Sequence, residues 1–129
     1  MKSLYSPTEL KQFRDGIDAY RVGDYYNAHE AWEELWSNPA LPSRRILQGF
    51  IQIAVSLFHA QQGNLKGSRS MMNKALQKFE SAPASWNNIH LQEFIIDARK
   101  WHKHIHTVIS IEDINFENAP TLHMIEAHD

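Results

Sequence analysis

The chain has 129 residues, 13 Lys and Arg against 15 Asp and Glu, a formal net charge of -2 and no cysteine. That length fits one domain with a core of its own. The charge balance argues against a nucleic-acid groove, which needs a clustered excess of cationic side chains, and without cysteine there is neither a disulfide framework nor a thiolate site.

A helix start is written at SPTE, residues 6–9: Ser6 as N-cap, Pro7 in the first turn and Glu9 closing a capping box. Leu10, Phe13, Ile17 and Tyr20 then recur at helical spacing until Gly23 ends the helix. Asp24 caps a second helix, from about Tyr25 to Trp36, and SNPALPS at 37–43 breaks the chain. A third helix is expected from about Arg44 to Gln62, stopping at Gly63. Its apolar run, ILQGFIQIAVSLF at 46–58, holds 13 residues and two glutamines. A membrane span needs about 20 apolar residues, so this reads as a buried helix. MKSLYSPTEL has no apolar run of the signal-peptide kind; a cytoplasmic location suits these features.

Asn64 caps a fourth helix to about Glu80, and SAPASWNN reads as a loop. A fifth helix is expected over about Ile89 to Ile109, with Leu91, Phe94, Ile95, Ala98, Trp101, Ile105 and Val108 on one face. After it, Ile111, Ile114 and Phe116 suit an extended strap, and APTLHMIEAHD suits a frayed end. GDYYNA at 23–28 and GNLKGS at 63–68 occupy equivalent places between helices. The expected fold is all-α: a compact bundle of about five helices, two TPR-like helix-turn-helix hairpins and a closing helix. Residues 1–109 would form the domain and 110–129 a strap and tail.

The unusual chemistry lies on helices two and three. His29 and Glu33 stand four residues apart and share a face, with Glu30 on its shoulder and Trp32 and Trp36 beside them. On helix three, Gln48, Gln52 and His59 fall on one narrow arc of an otherwise apolar cylinder, flanked by Gly49, Ser56 and Ala60. A carboxylate among buried tryptophans needs donors, because an unpaired buried charge is costly. The two sets are therefore expected to meet as a semi-buried cluster of His29, Glu30, Trp32, Glu33, Trp36, Gln48, Gln52 and His59.

Such a cluster reads first as the binding site of a non-enzymatic module for a small molecule or partner protein segment. Its alternatives are a hydrogen-bond network without chemistry and a metal-assisted hydrolase. H-E-x-x-H is not met, since Glu33 stands at the second histidine. A metal set, if there is one, would be His29, Glu33 and His59, with Glu30 as base; no cofactor, nucleic acid or membrane is expected, and a homodimer is open. In WHKHIH, 101–106, His102 reads as core-edge, His106 as rim and His104 as solvated.

AHEAWEELW at 28–36, LQGFIQIAVSLFHAQQGNLKGS at 47–68 and FRDGIDAYRVGDY at 13–25 together resemble the small proteins catalogued as domain of unknown function 309. Ser68 stands where alanine is usual in that family. The resemblance implies an all-helical fold and brings no established activity. Its motif positions fall on the same eight residues, His29 through His59.

Overall fold

The structure is a computed structural model that describes residues 4–125. Five α-helices follow in order, α1 Pro7–Arg21, α2 Tyr25–Trp36, α3 Arg44–Gln61, α4 Leu65–Lys78 and α5 Leu91–Thr107. The capping signals act as read. The Ser6 side chain accepts from the Glu9 N–H at 3.2 Å, while the Glu9 carboxylate accepts from the Ser6 N–H at 2.9 Å. Asp24 and Asn64 cap α2 and α4 by accepting from the N–H of Asn27 and Gly67. Between the paired helices, Gly23 and Gly63 take φ of +81° and +75°. That left-handed conformation costs glycine little and lets a helix stop within one residue of the next cap.

Contacts recede evenly from both turns, so each pair is an antiparallel hairpin. Tyr20 meets Tyr25 at the first turn and Phe13 meets Trp32 farther out. His59 meets Asn64 at the second turn and Ser56 meets Ser68 farther out. α3 lies between α2 and α4, which accounts for its apolar circumference: Leu47, Phe50, Ile53, Ala54 and Leu57 are all fully buried. The small residues on α3 admit its neighbours, with Gly49 under the Phe79 ring and Ser56 against α4. There the Ser56 hydroxyl bonds Ser68 and accepts from the Trp101 indole N–H at 3.2 Å, tying α3, α4 and α5 together.

Several expectations about the second half change. The segment read as a loop contains a small antiparallel hairpin, β1 Ser85–Trp86 and β2 Ile89–His90. Its corner residues Asn87 and Asn88 take φ of +48° and +63°, the mirror-image turn that suits the twist of paired strands. The hairpin swings Trp86 into the core, stacked on Phe50 with ring centroids 5.3 Å apart. Residues 89 and 90 thereby join a strand, and α5 starts at Leu91. His104 is also only partly exposed. Its Nε2 accepts from the Asn115 N–H at 2.8 Å, and its ring lies against Trp101, because the chain after α5 folds back over this face.

That returning chain makes two 3-10 turns, Ile111–Asp113 and Phe116–Asn118. Residues 119–125, expected to fray, are held instead. Leu122 is buried, the Tyr20 hydroxyl donates to the Pro120 carbonyl, and Met124 bridges Ile89. The last part of the expected tail, 126–129, lies outside the described residues. Among the described residues, no helix is long and apolar enough to cross a membrane.

His102, at the core edge, gives a pH signature. Its Nε2 pairs with the Asn73 side chain of α4 at 2.8 Å, and its ring lies 4.2 Å from that of His106. Burial first, and the neighbouring His106 second, hold its pKa below 6.5. The fold thus favours the neutral imidazole. The contribution is full above the unfolded pKa and lost as pH falls through the lower folded value. Urea midpoints are expected to fall between about pH 7.5 and about pH 5, less steeply in His102→Gln. An identical slope in the variant would remove His102 from the account.

Candidate functional site

α2 presents His29 between two carboxylates. Its Nε2 lies 2.5 Å from Glu33 Oε2, and its Nδ1 lies 3.6 Å from Glu30 Oε1. The first is a hydrogen bond across one helical turn; the second is too long for one. The two glutamate side chains are 54% and 55% exposed, while that of His29 is 20% exposed. Water therefore solvates both carboxylates. The expected need for buried donors does not arise, and among the described residues no hydrogen bond joins Glu30 or Glu33 to Gln48, Gln52 or His59.

The eight residues instead distribute over three places. Trp32 belongs to the core: it is fully buried, and its indole N–H donates to the Phe13 carbonyl at 3.0 Å. A cavity of about 210 Å³ brings His29, Glu33, Trp36, Gln48 and Gln52 together, with Ile51, Val55 and Met71 completing its wall. A second cavity, of about 200 Å³, is walled by Tyr26, His29, Val55, Phe58 and His59. His59 is bonded there to the Asn64 side chain at 3.3 Å. Glu30 lines neither.

The division follows from helix geometry. Gln52 and His59 share an angle on α3, but seven residues separate them by about 10 Å along the axis. His29 and Val55 line both cavities and so stand at the wall between them. The first cavity is polar on the α2 side. Trp36 is pinned there by Arg44, whose guanidinium sits 4.1 Å from the ring centroid and donates to the Trp36 carbonyl at 2.7 and 3.0 Å. The second is largely aromatic, with Tyr26 and Phe58 rings 5.5 Å apart.

Two polar atoms of the first cavity's residues stand out. Among the described residues, the buried Trp36 Nε1 and Gln52 Oε1 find no hydrogen-bond partner. Buried polar atoms are nearly always paired, so a donor and an acceptor both left over on residues of one cavity call for partners. Among groups that could hold a cation, only His29, Glu30 and Glu33 converge within the described residues, each offering an atom within 4.8 Å of the others. His59, the third ligand suggested by spacing, is not among them.

Sequence reasoning missed Tyr26, Ile51, Val55, Phe58 and Met71. Ile51 and Val55 flank Gln52 on α3 and could have been found from the same wheel. Met71 comes from α4 and carries no such signal.

Residues 13–71 match the family described as Domain of unknown function (DUF309). Every residue lining the two cavities falls inside that DUF309 segment. The chain is 32% identical over 62 residues to the "Uncharacterized protein YpuF" of Bacillus subtilis (strain 168), covering 47% of this chain and 36% of that protein. It is 27% identical over 88 residues to an "Uncharacterized protein" of Aquifex aeolicus (strain VF5), covering 66% of this chain and 26% of that one. The matched stretch thus spans about a third or less of either relative.

Proposed function

We propose that this chain is a non-enzymatic helical module of the cytoplasm, and that its α2–α3 face receives a segment of a partner polypeptide. The observation that carries this reading is the unpaired Trp36 indole N–H and Gln52 carbonyl beside one cavity. A peptide group offers one acceptor and one donor, the complement of that pair. Cavity size points the same way. Sites for drug-sized ligands measure about 300–1,000 Å³, whereas these two hold about 210 and 200 Å³. Each suits a single side chain, and two adjoining pockets for successive side chains suit a segment.

Val55 borders both cavities, so Val55→Trp fills them from the shared wall. Peptides enriched from a random display library on the native protein are expected to bind Val55→Trp at least about tenfold more weakly. Gln52→Leu, which removes the unpaired carbonyl, is expected to weaken them as well. Failure to enrich any peptide, or equal binding to Val55→Trp, would sink the proposal.

A second reading, metal-assisted hydrolysis, is favoured by the convergence of His29, Glu30 and Glu33. Against it, the two carboxylates address opposite nitrogens of one ring. An ion sharing one nitrogen with both would require a carboxylate to swing round. Uptake of about one Zn²⁺ per chain, lost in Glu33→Gln, would favour this reading over the first.

A further inference from the structure

A third cavity lies on another side of the molecule, largely outside the segment matched by the family. It holds about 530 Å³, between the end of α1, the start of α2 and the strap that returns after α5. Tyr20, Arg21 and Tyr25 form its helical side, and Phe116, Glu117 and His123 are among the strap residues facing them. Its volume falls within the about 300–1,000 Å³ usual for small-molecule sites.

The wall is fixed at several points. The strap hangs from α1 by the Tyr20 hydroxyl on the Pro120 carbonyl and by Arg21 Nη2 on the Leu122 carbonyl at 2.9 Å. Thr121 donates to Asp97 of α5 at 2.8 Å, and the His123 carbonyl accepts from the His90 N–H at 3.1 Å. Pro120 and Leu122 are buried beneath. A wall tied to α1, α5 and β2 loses little freedom when a ligand enters, which favours affinity.

Two charges of opposite sign border this space without neutralising each other. Among the described residues, Arg21 uses one N–H on Leu122 and forms no ion pair, and the Glu117 side chain forms no hydrogen bond or ion pair. The rings of Tyr25 and Phe116 line the same space. Burial raises the Tyr25 pKa, so its phenol stays a neutral hydroxyl near neutral pH.

We infer that this cavity is a binding site for a small zwitterion, an α-amino acid with an aromatic or large apolar side chain. Arg21 takes the carboxylate, Glu117 the ammonium, and the Tyr25 and Phe116 rings the side chain. A guanidinium suits a planar carboxylate because two of its N–H groups can meet both oxygens. An ammonium needs acceptors, which Glu117 supplies. A ligand with only one of the charges leaves the other residue unmatched.

Three compounds test this by amide chemical-shift titration of the full chain: L-phenylalanine, 3-phenylpropionate, which lacks the ammonium, and 2-phenylethylamine, which lacks the carboxylate. L-Phenylalanine is expected to saturate shifts at 20–25 and 116–123 with a dissociation constant on the order of 1 mM or tighter. Arg21→Gln is expected to weaken L-phenylalanine and 3-phenylpropionate by about tenfold and to leave 2-phenylethylamine unchanged. Glu117→Gln should do the reverse, weakening L-phenylalanine and 2-phenylethylamine alone. Because Arg21 also holds the strap, the Glu117 arm carries the test should Arg21→Gln disturb the fold. No saturable shift from any compound by about 10 mM overturns the inference. So does a loss in Glu117→Gln that falls equally on all three.

Discussion

Phe50→Ala is expected to destabilise the protein by about 3–5 kcal/mol, read from urea unfolding followed by tryptophan fluorescence. Phe50 is fully buried at the middle of α3 and is the ring on which the core's other rings converge. It stacks on Phe94 with centroids 4.7 Å apart and planes 3° from parallel, and on Trp86 at 5.3 Å. Phe13, Trp32 and Phe79 meet it edge-on at 5.6–5.8 Å. These neighbours come from α1, α2, α5, β1 and the end of α4, so no single element can relax into the gap. The cost should lie toward the upper end for that reason, since it grows with the cavity that remains. Phe50→Leu keeps much of the volume and loses the ring pairing, so its smaller loss isolates the aromatic share. A loss under about 1.5 kcal/mol in Phe50→Ala would mean the surrounding rings collapse inward.

What could be read from the sequence was whatever atoms within a few residues decide. Ser6 with Glu9, Asp24, Asn64 and the two turn glycines are local devices, and the five helices follow from them together with the apolar spacing. Trp86 was not legible. Its place depends on Phe50, 36 positions earlier, and on Asn87 and Asn88 adopting positive φ. An Asn-Asn pair signals such a turn less firmly than Asn-Gly. His104 shows a related limit: a helical wheel gives an angle, and here a later segment of chain crosses that angle.

The candidate site was legible as a group of residues and not as a geometry. His29, Glu33, Trp36, Gln48 and Gln52 do line one cavity. Their angles alone, however, implied a buried carboxylate, whereas Glu33 lies at the edge of its face and meets water. Trp32, one position earlier, turns about 100° away into the core. Angle also placed His59 with Gln52, and the rise along α3 separates them. The third cavity had no signature, because it is made by a strap whose path depends on Tyr20 and Arg21 some hundred residues before it.

The same dependence on close approach makes Gly16→Ala the second severe substitution. An added Cβ at Gly16 would lie 2.1 Å from Trp32 Nε1 and 2.5 Å from its Cδ1. Both atoms belong to a rigid indole, so neither can bend aside as the end of a flexible chain would. The ring is also held by its N–H on the Phe13 carbonyl and by Phe13, Tyr20 and Phe50 around it. Overpacking costs about 1–3 kcal/mol, and breaking the buried indole hydrogen bond adds about 1–3 kcal/mol. Alanine's better helix propensity returns only about 1 kcal/mol. A net loss of about 1–5 kcal/mol is therefore expected in urea unfolding. The clash is specific to one partner, so the loss should depend on it. In a Trp32→Ala background, where no ring atom faces the new Cβ, Gly16→Ala should cost at least about 1 kcal/mol less than in the native chain. Equal costs in the two backgrounds would show that Gly16 is required for a reason other than the indole lying against it.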